Sequence, residues 1–180
     1  MDSGIQNNND LISRLLGLVK LSTDYCVLCE NASEVPKDEF VDGILNLLPR
    51  IYWEFYDISP ETISLEDDFY FSSYLDEEYY ENIRRHIEML IGEDDVFLET
   101  FEEDMKYSDT PIGASISESL ADIFQPLYNF ISVVKDSSGE QLVEAYIHCK
   151  EEFCEYWSQT LCNVMRALNH LKFSNLTNII

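Results

Sequence analysis

Residues Glu93 to Tyr128 read EDDVFLETFEEDMKYSDTPIGASISESLADIFQPLY, and the fold turns on how this stretch divides. Its first part predicts an acidic helix from Val96 to Met105, with Phe97, Phe101 and Met105 inward and Glu99, Glu102, Glu103 and Asp104 outward. A polar turn from Lys106 to Gly113 follows. Ser115-Ile116-Ser117-Glu118 then matches a capping box, in which the serine hydroxyl accepts from the backbone three residues on and the glutamate reaches back. Behind that cap, Ile116, Leu120, Ile123, Phe124, Leu127, Ile131 and Val134 recur at helical spacing. An apolar stripe of that length needs other helices to cover it.

The flanking sequence supplies them. Leu11, Leu15, Leu18, Val19, Ser22, Cys26 and Cys29 form one stripe of a helix from Asp10 to Asn31. Phe40, Ile44, Leu47, Leu48, Ile51 and Phe55 form another, in a helix that begins near Pro36 and contains Pro49. Asp76 caps a third helix, which Gly92 stops after Tyr80, Ile83, Ile87 and Leu90. Leu142, Tyr146, Cys149, Phe153, Tyr156, Trp157, Thr160, Val164, Ala167, Leu168 and Leu171 predict one long last helix from Ser138 to Phe173, with Ser138 and Gln141 as a second capping box. There are no alternating strands rich in Val, Ile and Thr. The expectation is an all-α protein, an irregular bundle of about six helices in a single domain spanning 1–180. Residues 1–8 and 174–180 are expected as flexible ends. Residues 57–75 form a long connection rich in aromatics.

Composition narrows the function. The chain holds 35 Asp and Glu against 11 Lys and Arg, a net charge of -24. That excess argues against direct binding of nucleic acid, which requires cations to neutralise phosphates. It suits a basic protein partner, a divalent cation, or mimicry of nucleic acid by an acidic surface. No membrane is expected as a partner, since no apolar run of about 18 residues occurs. The N-terminal sequence MDSGIQNNND lacks a basic, apolar leader, which predicts the cytoplasm. Five cysteines, an odd number, then read as reduced thiols. Cys26 and Cys29 fall on an apolar stripe and read as core residues rather than a redox pair. Arg84 and Arg85 read as partners of nearby carboxylates.

Two constellations carry candidate chemistry. Glu99-x-x-Glu102 and Glu118-x-x-x-Asp122 would let two helices offer four carboxylates to magnesium, which favours oxygen ligands. That pattern loosely resembles the all-helical nucleotide pyrophosphohydrolases, with the second pair one residue too long. With Leu120 at the centre of its stripe, Glu118 sits at about 160° and Asp122 at about 200°, on the polar back of the helix. A site there needs another helix packed on that back. The second constellation is a surface for a protein partner, made by Phe69, Tyr70, Phe71, Tyr74 and Tyr79 with Lys106, Tyr107 and Asp109. Catalytic residues and an organic cofactor are not expected: there is no Gly-x-Ser-x-Gly elbow, no phosphate-binding glycine loop and no cysteine with an evident histidine. The leading expectation is a non-enzymatic interaction or regulatory domain.

Leu48-Pro49, the run Glu103 to Asp109, Leu120-Ala121-Asp122-Ile123, Glu155-Tyr156-Trp157 and Arg166-Ala167-Leu168 together resemble a bacterial family of small, acidic, helical proteins known only as a domain of unknown function. The resemblance implies an all-helical fold and no particular activity. It also implies that the Lys106–Asp109 turn and Asp122 belong together.

Overall fold

A computed structural model of the chain describes residues 2–59, 73–99 and 112–174. The helices are α1 (Asp2–Glu30), α2 (Lys37–Asp57), α3 (Glu77–Ile91), α4 (Ile116–Asp136), α5 (Leu142–Glu152) and α6 (Ser158–Ser174). A 3-10 turn (Gly92–Asp95) leads from α3 into a short strand β1 (Val96–Leu98), which pairs antiparallel with β2 (Gly113–Ser115). The result is one helical domain with a small ribbon on its side.

Helix α4 is the centre of the bundle. It packs against α1, α3, α5 and α6, and thirteen of its residues are buried, including Leu120, Ile123, Phe124, Leu127 and Phe130. The first backbone donors of a helix have no partner within it, and that of the buried Ser117 must be met by protein. Ser115 accepts from the Glu118 N–H at 3.2 Å, as the capping box predicts. Asp95 adds a second cap from the 3-10 turn. Its buried carboxylate accepts the Ser117 N–H and the Ser117 hydroxyl, both at 2.8 Å. The same turn is tied to α2, where the Lys37 ammonium donates to the Ile91 carbonyl and to Asp94, each at 2.6 Å.

The opposite end of the core is aromatic. Phe55 of α2 meets Tyr146, Phe153 and Trp157, with ring centroids 5.7, 5.3 and 4.9 Å away. Two buried tyrosines satisfy their hydroxyls on backbone: Tyr25 donates to the Leu120 carbonyl and Tyr146 to that of Ile58, both at 2.8 Å. Burying these two tyrosines supplies apolar area without stranding their hydroxyls, whereas the indole N–H of the buried Trp157 has no hydrogen-bond partner among the described residues. Cys26, Cys29 and Cys149 are buried, and all five cysteines are free. Arg84 pairs with Glu81 and Glu88, and Arg85 with Glu81. Asp76 caps α3 by accepting from the Tyr79 N–H at 2.8 Å, and Gly92 ends that helix at φ 67°.

Four expectations are corrected. Val96–Leu98 is a strand and not the start of a helix, because Gly113–Ser115 offers it a ladder. The last long helix starts at Leu142 and not at Ser138. Ser138 instead takes a left-handed φ of 55° beside Gly139 at 88°, and it is Ser137 whose hydroxyl accepts the Gln141 N–H. The long helix is also interrupted by a π turn at Phe153–Trp157. One extra residue per turn shifts the phase there, so Phe153 and Trp157 stay buried while Tyr156, read as inward, is 58% exposed. Finally, α1 begins at Asp2 rather than Asp10.

Candidate functional site

The polar back of α4 is covered at Asp122, and two tyrosines cover it there. Helix α3 lies along that face. The Tyr80 hydroxyl donates to one oxygen of Asp122 at 2.7 Å, and the Tyr156 hydroxyl donates to the other at 2.8 Å. Both phenols respond to the carboxylate. Burial first, then the hydrogen bond and negative charge of Asp122, push Tyr80 well above the ordinary tyrosine range and Tyr156 up to about 12. The other three members of the carboxylate quartet are placed elsewhere. Glu118 is exposed in the first turn of α4. Glu99 follows β1, where its N–H donates to the Ile112 carbonyl at 2.8 Å and its carboxylate accepts from the Asn163 amide of α6. Glu102 lies outside the described residues. Among the described residues, no three His, Cys, Asp or Glu side chains come together as a metal-binding group.

Of the expected aromatic surface, Phe69, Tyr70, Phe71, Lys106, Tyr107 and Asp109 lie outside the described residues. Tyr74 is 39% exposed and donates to Asp136 at 2.8 Å. Its backbone N–H and that of Leu75 are both held by the buried Asn129 side chain, at 2.8 and 3.2 Å. Tyr79 packs inward: its ring meets Phe124 at 6.1 Å and Tyr128 at 5.5 Å, and its hydroxyl donates to Glu30 at 2.5 Å.

Two surface features escape the sequence reading. The first is a cleft of about 520 Å³ between β1 and α6, lined by Val96, Phe97, Leu98, Asn163, Arg166 and His170 among others. Val96 and Leu98 expose 72% and 62% of their surface there. Helix α6 carries no Asp or Glu, in a chain with 35 of them. That gap in the acidic pattern is a signal present in the sequence. The second is at the end of α2, where Trp53 and Tyr56 stand out of the bundle at 56% and 65% exposure.

The fold and the surface define a class, an acidic all-helical bundle with a small ribbon. The family described as "Domain of unknown function (DUF5063)" matches residues 10–174, and the chain belongs to that family. Protein BF1032 from Bacteroides fragilis, known as a crystal structure, is similar over most of both chains. The likeness covers 89% of this chain and 93% of that one, at 28% identity and a TM-score of 0.76. No curated protein matches the chain. Among the described residues, no helix is long and apolar enough to cross a membrane.

Proposed function

We propose that this protein is a non-enzymatic interaction domain of the bacterial cytoplasm whose partner is a basic protein. The observation that carries this reading is the state of its charges. Arg14, Lys20, Lys37, Arg84, Arg85 and Lys172 are all spent in ion pairs with carboxylates of the same chain. With 35 acids against 11 bases, a large surplus of carboxylate remains to face solvent. Such a surface attracts a cationic protein over long range and repels nucleic acid and anionic membranes. The carboxylates with the most elaborate surroundings support binding over catalysis. Asp95 caps a helix and Asp122 is closed by two phenols. Five unpaired thiols suit a reducing compartment.

The test is capture on the tagged protein in extract of its own host, followed by reconstitution of the purified pair. The expected result is a partner of basic isoelectric point whose affinity falls as salt is raised. A partner of acidic isoelectric point, or binding indifferent to salt, overturns the proposal, as does recovery of nothing above background.

A further inference from the structure

Helix α2 ends in Ile51-Tyr52-Trp53-Glu54-Phe55-Tyr56-Asp57. Helical spacing divides these rings. Phe55 is fully buried against the aromatic core, while Trp53 and Tyr56, three residues apart, point outward with 56% and 65% of their surface exposed. Their centroids are 6.3 Å apart, with planes tilted by 39°. Tyr52 supports them from behind. It stacks on Tyr56 at 6.3 Å with planes 8° apart, and it is itself held edge-on by Phe153 at 5.4 Å. The pair is therefore two open ring faces on a braced helix rather than two loose side chains.

The charges beside it are already arranged. Arg14 of α1 reaches Glu54 and Asp57, both at 2.9 Å, so two carboxylates share one cation. Arg50, one turn earlier on α2, is turned toward Asn46 at 3.3 Å. Adjacent exposed aromatic rings offer apolar surface that a partner can cover. Trp and Tyr are also the residue types that dominate binding energy at interfaces.

Resting on the basic-partner reading above, we infer that Trp53 and Tyr56 take an arginine side chain of that partner. The net charge of -24 draws the cationic segment in. The ring faces then discriminate within it. A guanidinium is planar, weakly hydrated and stacks on aromatic faces, whereas a lysine ammonium is a compact and strongly hydrated point charge. The site thus selects arginine over lysine at equal charge.

The test uses the full chain and two labelled probes, hexa-arginine and hexa-lysine, followed by fluorescence anisotropy. The wild type is expected to bind hexa-arginine about tenfold more tightly than hexa-lysine. The double variant Trp53→Ala, Tyr56→Ala keeps the same net charge and is expected to bind both probes alike, at the hexa-lysine level. Trp53→Phe retains a ring and should keep most of the preference. Intrinsic emission gives an independent readout. The chain has two tryptophans, of which Trp157 is fully buried, so hexa-arginine should perturb the Trp53 component alone. An arginine preference that survives the double variant, or equal binding of both probes by wild type, overturns the arginine site and leaves the basic-partner reading standing. No binding of either probe at low salt overturns both. Unchanged thermal midpoints in the variants would show that folding does not account for the loss.

Discussion

The hydroxyl of Tyr156 donates to Oδ2 of Asp122 at 2.8 Å although the two residues lie on different helical segments and 34 positions apart. The π turn makes this possible. In an uninterrupted helix the phase of Phe153 and Trp157 would carry Tyr156 elsewhere, and the extra residue swings its ring out over α4. Tyr80 closes the same carboxylate from α3. One acidic side chain on the back of the central helix thereby links three segments of the bundle.

That linkage has a pH signature. Tyr156 is pushed up to about 12 and Tyr80 higher still, by burial first and by Asp122 second. An unfolded tyrosine ionises at about 10. Between these values the unfolded chain has lost a phenolic proton that the folded chain keeps. Stability from the clasp is therefore complete below about pH 10 and is lost as pH rises through the folded values. Replacing Asp122 by Asn removes the charge while keeping the shape. The phenolate absorbance of the folded variant should then rise at lower pH than in wild type, with less alkaline loss of stability. Tyr80→Phe should cost about 1 kcal/mol in urea unfolding, and Tyr156→Phe less, since Tyr156 is the more exposed of the two. Identical phenol titrations in wild type and Asp122→Asn would refute the clasp as the cause.

The cysteines divide by environment. Burial pushes the Cys29 thiol up to about 12 and those of Cys26 and Cys149 well above the ordinary range. The thiolate is the reacting species, so these three should be inert in the native protein. Cys154 and Cys162 are exposed. Burial also raises the Cys162 thiol, so a thiol-reactive dye at mildly alkaline pH is expected to label Cys154 first, Cys162 more slowly, and the remaining three only after unfolding in urea. Fast labelling of Cys26 or Cys29, read by mass spectrometry of the digested protein, would show that the Cys-x-x-Cys pair is open to chemistry after all.

Much of this fold was legible because its cues are local. Ser115, Asp76 and Gly92 act where capping chemistry puts them, and the stripes of α1, α2 and α4 are the faces that are buried. The failures arise where a distant partner or a backbone choice decides. Val96–Leu98 has a helix-compatible pattern, and only the ladder to Gly113–Ser115 makes it a strand. Ser138 precedes a glycine, and the pair adopts positive φ rather than opening a helix. Spacing correctly puts Glu118 and Asp122 on the polar side of α4. It does not reveal that Tyr80 and Tyr156 cover Asp122, because that depends on how α3 packs and on a phase shift at the π turn. The exposed Trp53 and Tyr56 hid inside an aromatic run in which Ile51 and Phe55 are core. The missing acids of α6 were in plain view, as a gap in charge rather than a motif.

The arrangement around Asp122 also predicts how the protein answers divalent cations. A magnesium site built from several carboxylates needs their oxygens to converge on one open position, and among the described residues no such group forms. Both oxygens of Asp122 already accept a phenol, Glu99 accepts from Asn163, and Glu118 stands exposed on the first turn of α4. Magnesium, manganese and calcium should therefore act on the chain only through its charge. At matched ionic strength the three are expected to raise the thermal midpoint by equal amounts, since each screens the same repulsion among 35 acids. Asp122→Asn should start from a lower midpoint and show the same increment. A rise specific to magnesium or manganese, lost in Asp122→Asn, would mean that the phenols yield to a metal and that the ion binds only the folded state. That result would revive the magnesium reading of Glu99, Glu102, Glu118 and Asp122, and nucleoside triphosphates would become the substrates to try.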